Sequence, residues 1–226
     1  MRENNKNKLE NLPEPVVESL DYLQSENESK IDNGLGILIK KKTLYHGSNI
    51  IGIKTFHKAE EDTVGSGIYF TSEPKDAIGY AKIRSERRRN SMSHVSPEDQ
   101  DSVPVIYESL IENVKMCDLR VDENIKKVLI GFRKILKEEI IKSDIEWFRR
   151  GSLEQAIEKI DGRKIGAGNL KEIAQSNGKL FSGYIKSLGY DGLIVLEGGE
   201  GENGNHDTYL IFDTEKVKIN QERKIL

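Results

Sequence analysis

Apolar positions along this chain follow two different periods, and the switch between them marks out its regions. Residues 1–34 are rich in Asn, Glu, Lys and Ser and are broken by Pro13 and Pro15. Within them only Val16-Val17-Glu18-Ser19-Leu20-Asp21-Tyr22-Leu23 places apolar residues at helical spacing, which predicts one short amphipathic helix in a loosely attached arm. From Leu35 the texture changes to strand material. Residues 36–39 and 43–46 read as two short strands, the second closed by a Gly47-Ser48 turn. Gly65-Ser66-Gly67 leads into a strand over 68–71, and Pro74 opens a helix running through Ala77 to Tyr80-Ala81. The polar stretch 84–100, with Arg87-Arg88-Arg89 and Pro97, predicts an exposed loop. Alternation over 103–119 predicts another strand.

The middle of the chain keeps the helical period. Ile125, Val128, Leu129, Phe132, Ile135, Leu136, Ile140 and Ile141 predict one long helix or two shorter ones over 122–150. Residues 153–160 and 170–188 continue the pattern with glycine interruptions. Strand material then returns over 192–196 and 208–212, separated by a glycine-rich loop over 197–207, and a short strand over 216–219 follows. Strands at both ends of a helical middle indicate an α+β fold, with no repeat of solenoid length.

Composition narrows this picture. A chain of 226 residues suits one domain over 35–226 preceded by the arm, and buries enough core to need no staple. The single cysteine, Cys117, excludes an internal disulfide and a Cys-rich zinc site. His57, His94 and His206 lack metal-ligand spacing, so no metal is expected. A net charge of −3 with 32% charged residues argues against a protein that coats nucleic acid. The N-terminus lacks the apolar segment of a signal peptide, and no apolar run approaches the ~20 residues of a membrane span. The expectation is a cytoplasmic protein, or one delivered from there into a host cell.

Four motifs carry the candidate chemistry. Leu44-Tyr45-His46-Gly47-Ser48, Gly65-Ser66-Gly67-Ile68-Tyr69-Phe70-Thr71, Gly189-Tyr190-Asp191-Gly192-Leu193-Ile194-Val195 and Thr208-Tyr209-Leu210-Ile211-Phe212-Asp213 occur in this order. Together they resemble the ADP-ribosyltransferases of the His-Tyr-Glu group, over roughly residues 43–219. The resemblance implies a split β-sandwich core with a helical segment inserted, and NAD as substrate. It implies that Gly47 contacts the nicotinamide carboxamide through its backbone and that His46 hydrogen-bonds the adenosine ribose. Tyr69 and Tyr80, eleven residues apart, would sandwich the nicotinamide ring. Ser48 and Phe70 complete the implied cofactor-binding set. Such chemistry is physically reasonable: cleaving the nicotinamide–ribose bond develops an oxocarbenium-like sugar, and a flat cationic ring is held well between aromatic faces.

Two positions depart from the family pattern. Ala77 stands where many relatives carry a serine that bonds the carboxamide, a loss of ~1 kcal/mol. Thr208 stands where the family glutamate precedes the tyrosine, with Asp207 one residue earlier. His46, Tyr69, Asp207 and Thr208 are therefore the candidate catalytic residues. Side chains alternate across a strand, so Asp207 substitutes for Thr208 only if a bulge re-aims it. Glu197, Glu200 and Glu202 in the preceding loop are other candidate carboxylates, and Glu108 a more distant one.

The resemblance implies an NAD-dependent mono-ADP-ribosyltransferase acting on a protein or nucleic-acid acceptor, a protein in preference to a nucleic acid and either in preference to a small molecule, with no membrane partner. The family implies a toxin or effector role, with an antitoxin or chaperone as a partner for residues 1–34. Two alternatives stay open: a non-catalytic module that binds NAD or ADP-ribose, and an NAD glycohydrolase. Lys40-Lys41-Lys42, Arg84 with Arg87-Arg88-Arg89, and Arg149-Arg150 are solvated surface, an acceptor-docking face, or a grip on the NAD pyrophosphate.

Overall fold

The computed structural model describes residues 28–31, 34–59, 64–91, 103–142, 145–162, 166–198 and 205–225. Its strands are β1 (Glu28–Lys30), β2 (Gly36–Ser48), β3 (Ile68–Thr71), β4 (Val105–Asp118), β5 (Gly192–Gly198), β6 (Asn205–Ile211) and β7 (Val217–Lys224). The helices are α1 (Pro74–Ser91), α2 (Asp122–Ile141), α3 (Trp147–Gly162), α4 (Ala167–Gln175) and α5 (Gly178–Ser187). A 3₁₀ turn, Thr214–Lys216, introduces β7.

A long antiparallel ribbon organises the strands. β2 and β4 pair from Gly36↔Cys117 to Ser48↔Val105. On its other edge β2 carries β1 and then β3, while β4 carries β7 along one half and β5, in parallel, at its end. β3 pairs with β6, and β6 with β5. The strands β2, β3, β6, β5 and β4 thus close a ring, from which β1 extends on β2 and β7 on β4. Four of the helices fill the connection between β4 and β5. This is the split β core with an inserted helical segment that the motifs implied.

Two cores explain the apolar runs. Leu193, Val195, Leu210 and Phe212 face the core shared with the helices, alongside Ile125, Leu129, Phe132 and Phe181. Ile194, Tyr209 and Ile211, one position out of phase, face the other core with Leu44, Phe70, Val105 and Tyr107. Strands buried on both faces lose the polar alternation of a half-solvated sheet. Each fully buried side chain of this size contributes ~1.5–3 kcal/mol by transfer from water.

Several expected boundaries move. The two short strands before Ser48 are one continuous strand, and Gly47-Ser48 lies inside it rather than in a turn. Lys41 is kept there by Glu112, its register partner, at 3.6 Å, and Lys42 bonds Glu28 at 2.8 Å. Helix α1 runs on to Ser91, so the loop expected from Arg84 begins in helix and its remainder, 92–100, lies outside the described residues. The stripe that docks α1 is Ala77, Ala81 and Ser85, all fully buried at helical spacing, and only the small polar Ser85 carries it into the extension, too small to register as a hydrophobic pattern. Residues 122–150 hold α2 and the start of α3, the two-helix alternative. Glu197, Gly198 and residues 205–207, expected in a loop, are strand. Of the expected arm, residues 1–27 lie outside the described residues, whereas Glu28–Lys30 already pair with β2.

Candidate active site

The end of β2 and the length of α1 are held together at Gly47. A Cβ built there would sit 2.1 Å from the Ala77 carbonyl oxygen and 2.8 Å from the Ala81 amide nitrogen. Only a residue without a side chain lets the helix backbone lie this close. This contact fixes the spacing between His46 on the strand and Tyr80, Ile83, Arg84 and Arg87 on the helix, residues three, four and seven apart that share one face.

Those residues line a cleft of about 460 Å3, together with Tyr45, Tyr69, Phe70, Val195, Glu197 and Thr208, and with Leu170 and Lys171 from α4. A second depression of about 560 Å3 adjoins it, lined by Ser48 and much of the 50–57 segment. His46, Tyr69 and Arg84 line both cavities and so form the wall between them. Of the expected binding set, His46, Gly47, Tyr69, Phe70 and Tyr80 thus meet in the first cavity, while Ser48 lies in the second.

His46 is neutral and its tautomer is fixed. Burial pushes its pKa down from 6.5 to about 4, opposed by its bond to the Tyr69 carbonyl and assisted by Arg84. Its Nδ1 lies 2.7 Å from that carbonyl oxygen, which only accepts, so the proton is on Nδ1 and Nε2 carries a lone pair. Phe56 and Phe70 wedge the ring edge-on at 4.9 and 5.7 Å. Tyr69 is equally constrained: its hydroxyl donates to Gly65 O at 2.8 Å and accepts from Val64 N at 3.0 Å. Gly65, at φ +135°, makes the bend that brings this carbonyl round.

The fold separates Thr208 and Asp207, the two candidates at the place of the family glutamate. Thr208 lines the cleft and Asp207 does not. Asp207 instead receives a 2.7 Å bond from Arg120, whose guanidinium also grips Asp118 at 2.7 Å. Burial would raise the Asp118 carboxyl, but Arg120 outweighs it and holds it below its usual value. No bulge interrupts β6 there, so alternation keeps Asp207 on the opposite face from Thr208. Glu108 is likewise elsewhere, paired with Arg223 at 2.8 Å. Glu200 and Glu202 lie outside the described residues.

Glu197 occupies the place beside Thr208. The Thr208 hydroxyl donates to its Oε2 at 2.9 Å and the Tyr80 hydroxyl donates to the same oxygen at 3.0 Å. Tyr80 has one proton to give, so its 3.1 Å contact with His206 Nε2 makes that nitrogen the donor. Leu193, Val195 and Glu197 alternate onto one face of β5, the signal that would have placed this glutamate on a strand. His206 is its register partner across the hairpin.

The Cys117 thiol is buried, which pushes its pKa up to about 12 and leaves it inert as a nucleophile. Among the described residues no group of three or more His, Cys, Asp or Glu is placed to hold a metal ion. None of the described helices is long and apolar enough to cross a membrane.

Comparison with curated proteins finds none that matches. Among solved structures, the chain aligns with one from the M. tuberculosis MbcT–MbcA toxin–antitoxin complex at 8% identity and a TM-score of 0.44, covering 85% of this chain and 88% of that one. The sequence pattern of the ADP-ribosyltransferases in polyvalent proteins matches residues 40–224, spanning both the His46 strand and the Thr208 strand, and the chain belongs to that family.

Proposed function

We propose that this chain binds NAD and transfers a single ADP-ribose from it to a macromolecular acceptor, releasing nicotinamide. The observation that carries this reading is the pair of adjoining cavities divided by His46, Tyr69 and Arg84. A dinucleotide has two halves joined by a pyrophosphate, and two depressions sharing a cationic wall suit that shape. Their sizes fall in the ~300–1,000 Å3 range of small-molecule sites.

In this reading Tyr69 and Tyr80 hold the nicotinamide ring, whose positive charge favours aromatic faces by ~1–2 kcal/mol per partly dried contact. The backbone of Gly47 meets the carboxamide, and Phe70 packs behind it. The unprotonated Nε2 of His46 accepts a hydrogen bond from a ribose hydroxyl. Arg84 and Arg87 carry the charge that a pyrophosphate needs. Ser48, in the second cavity, belongs to the adenosine side.

The acceptor is a protein rather than a nucleic acid, in keeping with the net charge of −3. Single transfer rests on the family resemblance, in which relatives with another residue in place of the glutamate at the position of Thr208 are typically restricted to one ADP-ribose. A toxin or effector role, and an antitoxin for residues 1–34, rest on family resemblance.

The test follows labelled NAD with the full chain and a whole-cell lysate, recording label transfer, free nicotinamide and NAD binding. Transfer that is lost in His46→Ala and Tyr69→Ala is expected. Binding without nicotinamide release would make the chain the non-catalytic module that Thr208 suggests, and release without transfer would make it an NAD glycohydrolase. Activity unchanged in both variants would remove the site assignment.

A further inference from the structure

We infer that Glu197, on β5, supplies the carboxylate of the reaction, reaching from the neighbouring strand into the position that Thr208 leaves without one. This rests on the NAD-transferase reading of the cleft and names the group that completes it.

Three observations converge on this glutamate. It is the one acidic side chain lining the 460 Å3 cleft among the described residues. It is held there at 18% side-chain exposure, where an uncompensated carboxylate is costly, so its setting must repay the desolvation. That setting is built for it: two hydroxyls, from Thr208 and Tyr80, converge on Oε2, and His206 Nε2 lies 4.0 Å away. Oε1 receives no hydrogen bond from any described residue and is not a buried orphan, which leaves it for a ligand hydroxyl.

The backbone explains how the exchange works. Val195 lies opposite Thr208, and Glu197 two residues on lies opposite His206. Glu197 and Thr208 are therefore diagonal neighbours on one face, within reach of a long side chain. A short Thr208 is what leaves room for it. The threonine is thus a positioning residue for a carboxylate that enters from the next strand.

The step balances without any further reagent. The C1′–N bond of NAD breaks with its electron pair leaving on neutral nicotinamide, and positive charge develops on the ribose. Glu197 Oε1 accepts a hydrogen bond from the ribose hydroxyl beside C1′ and stabilises that charge. The acceptor's O–H or N–H lone pair forms the new bond to C1′, and its proton passes through the carboxylate to solvent.

The experiment measures NAD binding and nicotinamide release for the full chain, its Glu197→Gln variant and its Thr208→Val variant, with thermal melts alongside. Glutamine keeps the shape and can still accept from Thr208 and Tyr80. Release in Glu197→Gln is expected to fall ~100-fold with the dissociation constant for NAD within a few-fold of wild type. Thr208→Val, which removes one of the two hydrogen bonds on Oε2, is expected to lower release ~10-fold, and it carries the test should Glu197→Gln fail to fold. Release equal to wild type in both variants overturns the proposal alone. Loss of NAD binding in step with release in a folded Glu197→Gln overturns it too, because the glutamate would then only scaffold the site. A wild-type chain that binds NAD without releasing nicotinamide overturns this proposal and the transferase reading together.

Discussion

Replacing Gly47 with alanine tests whether helix packing sets the geometry of the cleft. The added Cβ would begin 2.1 Å from the Ala77 carbonyl oxygen and 2.8 Å from the Ala81 nitrogen, both backbone atoms that cannot swing aside. Comfortable contact needs ~3.5 Å, so α1 must retreat from β2 by ~1 Å or the strand must bend. Overpacking of this kind costs ~1–3 kcal/mol. For a chain of this size that lowers Tm by ~3–10 °C. The same retreat carries Tyr80, three residues beyond Ala77, away from Glu197, breaking a 3.0 Å bond. NAD binding should weaken at least tenfold, measured by calorimetry beside the melt. Gly183→Ala is the matched control, since a Cβ there meets nothing within 4 Å in the exposed interior of α5. It should stabilise by up to ~1 kcal/mol. A Gly47→Ala chain that melts within a degree of wild type refutes the packing argument. One that melts low but binds NAD normally refutes the claim that this contact positions the site.

Other consequences are open to direct measurement. Because the His46 pKa is about 4 when folded and 6.5 when not, the unfolded chain takes up a proton the folded chain refuses between those values. Stability present above pH 6.5 should fall by up to ~3 kcal/mol as pH drops to 4, and His46→Gln should flatten urea-melt stability across that window. Arg84→Gln should raise the dissociation constant for NAD ~10–100-fold and make binding less salt-sensitive, if this side chain holds the pyrophosphate; an unchanged salt slope would count against that role. Asp207→Ala should lose ~1 kcal/mol of stability, because the Arg120 pair is partly screened, with nicotinamide release within twofold of wild type. A hundredfold loss of release would return Asp207 to the reacting centre.

The sequence told most where patterns were long or chemically distinctive. The α+β class, β3, the helical middle and the meeting of His46 with Tyr69 and Tyr80 followed from periodicity and from four ordered motifs. What it hid has identifiable causes. The Arg84–Ser91 continuation of α1 carries on the buried line of Ala77 and Ala81 through Ser85, a small polar residue that leaves no hydrophobic signature beside a run of arginines. Lys40-Lys41-Lys42 disguised a single strand as two, since the carboxylates that pair with Lys41 and Lys42, Glu112 and Glu28, sit on other strands. Glu197 was visible as a carboxylate near Thr208 but masked by the glycines after it, which extended the apparent loop back over the end of β5. Which of Asp207 and Thr208 faces the cleft depended on an unbroken β6 register, a fact of pairing rather than of composition.

The pairing of β3 with β6 brings Tyr69 and Phe70 beside Tyr209 and Leu210, groups separated by some 140 residues of chain. The cleft is therefore a late product of synthesis. His46, Tyr69 and Tyr80 emerge early, but the wall bearing Glu197 and Thr208 follows on the order of ten seconds later at ordinary elongation rates. Until then the ring of strands is open and the nascent chain has half a site. If this protein consumes NAD, the cell that makes it is spared during translation by topology alone. A truncation before β6 would yield a chain with every early motif intact and no closed cleft to use them.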